Sequence, residues 1–465
     1  MCAQRRFFIT TFGCQMNAYD SWRLATLLEK NGWQAAESRS QADFVFLNTC
    51  SIREKAALKV LAHLRELAPL KKQNPSLIVG VGGCVAEQEG IALYDKAPTV
   101  DLVVGPRRLA EIPYLLDSWD KDCSPIILAG DPPQEAVFNP QNVYPLYPQD
   151  DKTNSPLSAF ITIMEGCNNF CAYCVVPYLR GREVSRPEAD ILAEAKSLLA
   201  KGTREITLLG QNVNSYDPDP GAKASQSGSP FSRLLARVAA LEGLWRLRFT
   251  TSHPKDLDPS LTRLYGTLPK LMPHIHLPLQ AGSDKVLSKM GRSYTKAHYL
   301  SLIDALRKSC PQIAITTDII VGFPGETEED FQETLAILES IQFDSIFSFK
   351  YSDRPNTKAN NLPNKLPEEE KSRRLSLIIE LQKEISRKLN MALIGSHQEV
   401  LVYGHGREPN QLAGRTGNFK IVHFPGQKEL IGELVTVSIT NSGPVTLKGE
   451  IIDALNPTLR KSQRA

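Results

Sequence analysis

No stretch of this 465-residue sequence approaches the ~18 consecutive apolar residues that a membrane-spanning helix requires. Charge of one sign is scarce as well: 54 Lys and Arg against 51 Asp and Glu leave a net +3. That is too little to announce a nucleic-acid or membrane-surface binder by itself. No solenoid-type repeat is present. The opening segment, Met1 to Gly13, carries the apolar run FFITTFG, too short for a signal-peptide core and without a small-residue cleavage site. The expectation is a cytoplasmic protein with reduced thiols. A disordered chain and a disulfide-stapled miniprotein are excluded by a hydrophobic content of 42%.

What the sequence does hold is nine cysteines. In a reducing compartment that odd set speaks for metal or catalytic chemistry over disulfides. Cys167, Cys171 and Cys174 form a CxxxCxxC after the strand-like SAFITIM (158–164). Three thiolates in one loop can wrap a cubane iron–sulfur cluster. One iron then keeps an open position, which a small molecule with amino and carboxylate groups could fill. The competing reading is a structural zinc knuckle, which needs a fourth Cys or His close by; the nearest downstream histidine is His253.

Cys14, Cys50 and Cys84 are less obvious. Each stands just past an expected parallel strand: FFITTF (7–12), DFVFLN (43–48) and SLIVGVG (76–82). Ligands bind at that edge of open α/β sheets, where neighbouring strand ends lie only ~5 Å apart. Gly13, Gly82 and Gly83 let backbone approach closely there. A second cluster with three protein ligands is the inference, against the alternative that buried cysteines serve as small hydrophobes. Cys2, Cys123 and Cys310 have no partner spacing and read as incidental thiols.

Strand-like and helix-like stretches alternate from Phe7 to about Pro113, with helices expected at Tyr19–Lys30 and about Arg53–Gln73 and a fourth strand at VDLVVG (100–105). Apolar strands suited to burial on both faces predict a parallel α/β domain. Pro, Gln, Asn and Asp then concentrate from Asp131 to Pro156, as in a linker. Six βα units follow, with strands at 158–164, 204–210, 244–251, 274–279, 313–323 and 343–351, the pattern of a partial (β/α)6 barrel. A charged helix, Glu368 to Asn390, ends it. EVLVYG (399–404), FKIVHF (419–424), LVTVSIT (434–440) and TLKGEI (446–451) are short, alternating and split by Gly, Asn and Pro, which predicts a small antiparallel β-barrel. From Arg387 onward ten Lys and Arg face six Asp and Glu, so this end is mildly basic. The expected fold class is α/β in three parts, residues 5–122, 153–384 and 387–455.

Active sites of βα barrels form at the C-terminal ends of the strands. The polar residues there are Gln211, Asn212, Ser252, His253, Gln280, Ser283, Asp318 and Arg354. GFPGE (322–326), beginning at Gly322, opens a helix and can offer backbone N–H groups to a ligand, although Gly-Pro-Gly is also ordinary turn chemistry. His253 and His276 read equally well as satisfied core histidines. The run EEEKSRR (368–374) and the tail residues Arg460, Lys461 and Arg464 read as solvated faces.

TFGCQMNAYDS (11–21), LNTCSIREKA (47–56), GVGGCVAEQEG (80–90), MEGCNNFCAYCVVPYLRGREVSRP (164–187), LLGQNVNSY (208–216), FTTSHP (249–254) and VGFPGETEEDF (321–331) resemble the methylthiotransferase family of the radical S-adenosylmethionine superfamily. The resemblance covers nearly the whole chain in the family's order: methylthiotransferase N-terminal domain, radical S-adenosylmethionine core, and the RNA-binding β-barrel called TRAM. It implies that Cys167, Cys171 and Cys174 hold a [4Fe-4S] cluster whose open iron chelates S-adenosylmethionine. Reductive cleavage there gives a 5′-deoxyadenosyl radical. Cys14, Cys50 and Cys84 are implied to hold an auxiliary [4Fe-4S] cluster that carries the sulfur to be inserted. A second S-adenosylmethionine supplies the methyl group. Contacts to S-adenosylmethionine are expected from Gln211, Asn212, Gln280, Ser283, Asp318 and the turn at Gly322. Gly210-Gln211-Asn212 stands where many superfamily members have Gly-Gly-Glu.

Within the family, Gly13–Asn17 and Asn48–Arg53 look like the branch that methylthiolates C2 of N6-(dimethylallyl)adenosine at tRNA position 37, next to the anticodon. Sister branches act on threonylcarbamoyladenosine in tRNA or on an aspartate of a ribosomal protein. The implied partners are a tRNA carrying that nucleoside and an electron donor such as flavodoxin or ferredoxin, with no membrane and a monomeric chain. A reading of another class, a non-catalytic RNA-binding protein with structural metal, requires closed metal sites, which two three-cysteine sets do not offer.

Overall fold

Phe44-Val45-Phe46-Leu47 is apolar toward both sides of its strand, and in the computed structural model both sides are covered. The structure describes residues 4–50, 54–120, 125–130, 157–220 and 228–453, except for the side chains of 54–58 and 453. Cys2, Ser51 to Arg53, Cys123, the expected linker and the tail residues Arg460, Lys461 and Arg464 lie outside the described residues.

Strands β1 (Arg6–Thr11), β2 (Gln34–Ala35), β3 (Phe44–Thr49), β4 (Ile78–Gly83), β5 (Leu102–Val104) and β6 (Ile126–Leu128) form one sheet in the order β2-β1-β3-β4-β5-β6. Every pairing in it is parallel. Val45, Leu47, Val79 and Val81 face Leu64 and Leu67 of the helix Glu54–Gln73. On the other side Phe44 and Phe46 pack with Leu24 and Leu28 of the helix Gln15–Lys30. The short strands β2 and β6 go unannounced in the sequence, because two or three residues carry no period. The first helix also starts a turn earlier than its apolar pattern suggests. Cys14 holds its N-cap position in extended backbone (φ −102°, ψ 178°), and the first turn faces away from this sheet.

The second part holds β7 (Ser158–Thr162), the two-residue antiparallel pair β8 (Met164–Glu165) and β9 (Val184–Ser185), then β10 (Glu205–Leu209), β11 (Arg246–Thr250), β12 (His274–His276), β13 (Ala314–Val321) and β14 (Ser345–Lys350). The rows β7-β10-β11 and β12-β13-β14 are parallel throughout. They meet through the bridge Leu247–Leu271. The result is a six-stranded partial barrel whose row ends are β7 and β14. The helix Glu368–Met391 packs along β14, where Gln382 Nε2 donates to Phe343 O at 2.8 Å.

The third part is a closed barrel, β15 (His397–His405), β16 (Gln411–Thr416), β17 (Ile421–Pro425), β18 (Leu434–Ser442) and β19 (Thr446–Asp453), ordered β15-β16-β17-β19-β18. It has one strand more than the sequence pattern shows, and β17 and β19 pair parallel. Strand β16 escapes notice because its inward positions are Leu412, Gly414 and Thr416, an alternation that is not one of apolar side chains.

This barrel is fastened to the first end of β11. Arg246 Nη1 donates to Arg415 O (2.7 Å) and Nη2 to Glu399 O (3.1 Å). Arg248 donates to Thr416 O (3.0 Å), Gly417 O (2.9 Å) and Glu205 Oε2 (2.9 Å). Glu205 also accepts from Tyr403 OH at 2.8 Å. Phe419 stacks on His274 with centroids 4.9 Å apart, and the Arg415 guanidinium lies 4.4 Å from the Phe419 ring. Arg248 and Glu205 are both nearly fully buried. Breaking such a pair from one side leaves an uncompensated charge, at a cost of about 3–5 kcal/mol. Arg248→Met should therefore lower the urea midpoint by that much stability, and adding Glu205→Gln should recover most of the loss. Urea unfolding of the single and double variants measures both.

Candidate active site

Met16, Tyr19, Asp20 and Arg23 follow one another at helical spacing along the helix Gln15–Lys30. They form the face turned to the partial barrel. Met16 and Tyr19 pack on Leu209, and the Tyr19 hydroxyl donates to Glu194 at 3.1 Å. Asp20 accepts from Arg180 Nη2 at 2.8 Å, and Arg23 lies 3.9 Å from Glu165. All of these groups are buried. The docking sets the C-terminal edge of the parallel sheet against the C-terminal ends of the barrel strands.

At that junction one cavity of about 300 Å³ is lined by all six cysteines of the two triads, Cys14, Cys50, Cys84, Cys167, Cys171 and Cys174. The first three come level because their strands run in register, Thr11 opposite Asn48 and Asn48 opposite Gly82. A buried amide lattice fixes the loops. Asn17 Nδ2 donates to Asn48 Oδ1 (3.2 Å) and Thr49 O (2.7 Å), Asn48 Nδ2 returns to Asn17 O (2.9 Å), and Thr49 Oγ1 donates to Gly82 O (2.6 Å). Gly13 (φ +117°) and Gly83 (φ +86°) are required here: a Cβ on Gly13 would sit 3.0 Å from Cys50 Sγ, and one on Gly83 2.6 Å from Asn48 Oδ1. The Cys14 thiol is pulled down to about 6, first by its hydrogen bond with Cys50, then, against burial, by the charge of Arg180. Burial pushes Cys84 up. Burial, then the neighbouring Cys171, pushes Cys174 up to about 12.

The strand-end residues divide. Gln211, Gln280 and Asp318 line the cavity, as do Ser252 and His253. Asn212, Ser283 and Gly322 lie outside that lining, with polar groups tied to other partners, although Asn212 Oδ1 stays buried without one. Asn212 Nδ2 donates to Asp256 (2.7 Å), Ser283 Oγ donates to Asp330 (2.6 Å), and the Gly322 N–H is taken by Glu326 at 2.5 Å, itself held by Arg374. The GFPGE turn thus satisfies its own carboxylate. His276 contacts Asp318 at 3.4 Å. Burial, then Arg292, brings His253 down to about 2, so its ring is neutral; Nδ1 accepts the Lys255 N–H at 3.2 Å, which leaves Nε2 as an N–H donor. Arg292 has no counterpart in the sequence motifs, yet it is buried in this wall, with Nη1 3.5 Å from Cys171 Sγ and Nη2 on Pro278 O at 2.9 Å. Arg180 stands inside the motif 164–187, yet nothing in the motif singles it out as buried in this wall. Both lie in runs, SKMGRS and PYLRGR, that look like ordinary loop chemistry.

The donor set fits clusters. Among the described residues no three His, Cys, Asp or Glu side chains converge on the point one metal ion would occupy; a cubane asks for something else, since each thiolate binds its own iron. Gln211 Oε1, Ser252 Oγ and Arg180 Nη1 are buried in the cavity wall without a hydrogen-bond partner, as expected where a polar ligand completes the site. A second cavity of about 1060 Å³ shares Cys14, Gln15, Cys50, Thr250 and Thr251 with the first. It follows inward positions of the barrel strands, Phe160, Thr207, His276 and Thr316, to Arg415 and Phe419 of the C-terminal barrel.

Compared with known proteins, residues 6–105 match the uncharacterized protein family UPF0004, residues 161–338 the radical SAM superfamily and residues 392–452 the TRAM domain. A Geotalea uraniireducens protein named tRNA-2-methylthio-N(6)-dimethylallyladenosine synthase is 44% identical over 452 residues, 97% of this chain and 100% of that protein. A Desulfotalea psychrophila protein of the same name is 47% identical over 453 residues, covering 97% and 99%. Among solved structures, the radical S-adenosylmethionine methyltransferase TsrM from Kitasatospora setae superposes with a TM-score of 0.57 at 17% identity, over 77% of this chain and 75% of that one. At that identity the likeness shows the fold alone.

Proposed function

The chain belongs to the tRNA-2-methylthio-N(6)-dimethylallyladenosine synthases, and from that membership we infer which of its residues perform the reaction. It is a radical S-adenosylmethionine transferase that methylthiolates C2 of N6-(dimethylallyl)adenosine at tRNA position 37, using two [4Fe-4S] clusters and S-adenosylmethionine. The observation that carries the residue assignment is the single cavity lined by both cysteine triads.

Cys167, Cys171 and Cys174 hold the first cluster and Cys14, Cys50 and Cys84 the second. When bound, the first supplies the electron that cleaves S-adenosylmethionine and the second the sulfur that is inserted. Arg292 orients Cys171 through its 3.5 Å contact and offsets thiolate charge. Gln211 Oε1 and Ser252 Oγ offer polar contacts to the cofactor, and neutral His253, whose Nδ1 is held by the Lys255 N–H, offers an Nε2–H donor without adding charge. Met16, Leu209 and the buried pairs beneath them close the cavity floor, which keeps bulk water away from the reacting atoms.

The adenine enters through the larger cavity, where Phe160 and Phe347 offer apolar surface to the prenyl group and Lys59, Lys383 and Arg415 offer charge to the phosphates. The C-terminal barrel grips the tRNA backbone, an electrostatic contact that weakens with salt. A flavodoxin- or ferredoxin-class donor delivers the electrons to a monomeric, cytoplasmic chain. No helix among the described residues is long and apolar enough to cross a membrane.

Mass spectrometry of tRNA nucleosides tests the substrate. In a strain lacking this protein, N6-(dimethylallyl)adenosine should accumulate at the expense of its 2-methylthio form, and expression of the chain should restore the latter. Unchanged nucleosides would overturn the assignment.

A further inference from the structure

Arg180 joins the two triads. It caps the short helix Val176–Leu179 that follows Cys174, yet its guanidinium serves the other set of cysteines. Nη2 donates to Asp20 Oδ2 at 2.8 Å, on the helix that begins directly after Cys14. Its charge acts on the thiols of both Cys14 and Cys84, and the guanidinium is also hydrogen-bonded with Cys84. The residue is 4% exposed, and Nη1 is buried in the cavity wall without a hydrogen-bond partner. An ionised donor stripped of water and left without an acceptor is unfavourable, so its presence points to an acceptor that arrives with the ligand.

Arg23, Arg107 and Arg180 all act on buried Glu165, beside Asp20. Three thiolates outweigh a dicationic cubane core, and a sulfur anion on the open iron adds to the excess. The Arg180 guanidinium is opposite in sign to that ligand.

We propose that Arg180 is the positioning residue for the anionic sulfur ligand of the auxiliary cluster: Nη1 donates to the sulfur held at the open iron while Nη2 stays on Asp20. This rests on the two-cluster reading above. The ligand is a hydrosulfide or another terminal sulfur anion, and it arrives by exchange with solvent, with no bond of the chain made or broken. A radical-generating loop that also supplies this arginine keeps the sulfur at a fixed place relative to the first cluster.

The test uses full-length protein reconstituted anaerobically with iron and sulfide, desalted, and mixed with S-adenosylmethionine to cover the first cluster's open iron. Sodium selenide is titrated in while the reduced auxiliary cluster is followed by electron paramagnetic resonance, and its midpoint potential is measured. Wild-type protein holding about four irons in place of about eight counts against the two-cluster reading. The Arg180 assignment is judged on eight-iron protein. There Arg180→Met should weaken selenide binding roughly tenfold or more and lower the potential, since a positive charge is lost. Arg180→Lys should restore the potential and not the affinity, because an ammonium held by Asp20 lacks the second arm of the fork. Unchanged selenide affinity in either variant overturns the proposal; a lowered potential with unchanged affinity assigns the arginine to the Cys84 thiolate instead. If Arg180→Met takes up only one cluster, Asp20→Asn reads the same contact from the other side. It keeps Arg180 and removes the competing carboxylate, so selenide should bind more tightly, and unchanged affinity there is equally fatal.

Discussion

Cys171→Ala protein, reconstituted anaerobically, should bind about four irons where the unaltered chain binds about eight. Its formation of 5′-deoxyadenosine from S-adenosylmethionine should fall by about three orders of magnitude or more. The middle cysteine of the CxxxCxxC is buried, and it is the thiol that Arg292 Nη1 approaches at 3.5 Å. Removing it deletes one of three thiolates and leaves a buried guanidinium donor without its sulfur, so two ligands must hold the cluster against an unmatched charge. Cys310→Ala is the control. That thiol is also buried, but in the apolar core of the barrel, and its loss should leave iron content and cleavage as they are. Iron near zero with stoichiometric zinc in the unaltered protein would sink the radical assignment altogether.

Cys50→Ala should separate the two halves of the reaction. Iron falls to about four per chain and methylthiolated product falls to background, while cleavage of S-adenosylmethionine stays within about tenfold of the unaltered protein. The reason is geometric. Cys50 sits at the end of β3, hydrogen-bonded with Cys14, and its loop is tied to Asn17 and Gly82 by the amide lattice. The first triad belongs to the barrel loop, which Arg292 and the Ala172 N–H to Met290 O bond (2.8 Å) hold independently. Chromatography of 5′-deoxyadenosine alongside mass spectrometry of the tRNA nucleosides reads both halves at once; normal product from the variant would refute the auxiliary role.

Much of this site is legible in residue types and spacing. Three cysteines in one loop announce a cluster because the chelate is local. Cys14, Cys50 and Cys84 are legible one step removed, because each follows an apolar strand and parallel strands end along one edge. The strand-end list is a weaker guide. Position at a barrel's rim is enough to nominate Asn212, Ser283 and Gly322, but rotamer and partner decide where a polar group points. Asp256, Asp330 and Glu326 claim them. Arg180 and Arg292 are invisible for the opposite reason: an arginine in a loop is usually solvated, and nothing local shows that these two are buried against sulfur.

The sequence by itself determined the donor chemistry, the order of α/β domain, partial barrel and small β-barrel, and the family. These depend on short-range periodicity and on motifs whose residues act together locally. Only the tertiary structure decided that the two triads share one cavity. Met16, Tyr19, Asp20 and Arg23 show in sequence that one helix face is partly apolar and partly charged, not what covers it. The covering groups, Glu165, Arg180, Glu194 and Leu209, lie more than 140 positions away, and burial of that face against them is a long-range event that no local period encodes. The same holds for the C-terminal barrel, whose seat on Arg246 and Arg248 is made of backbone carbonyls, acceptors that every residue carries and no sequence distinguishes.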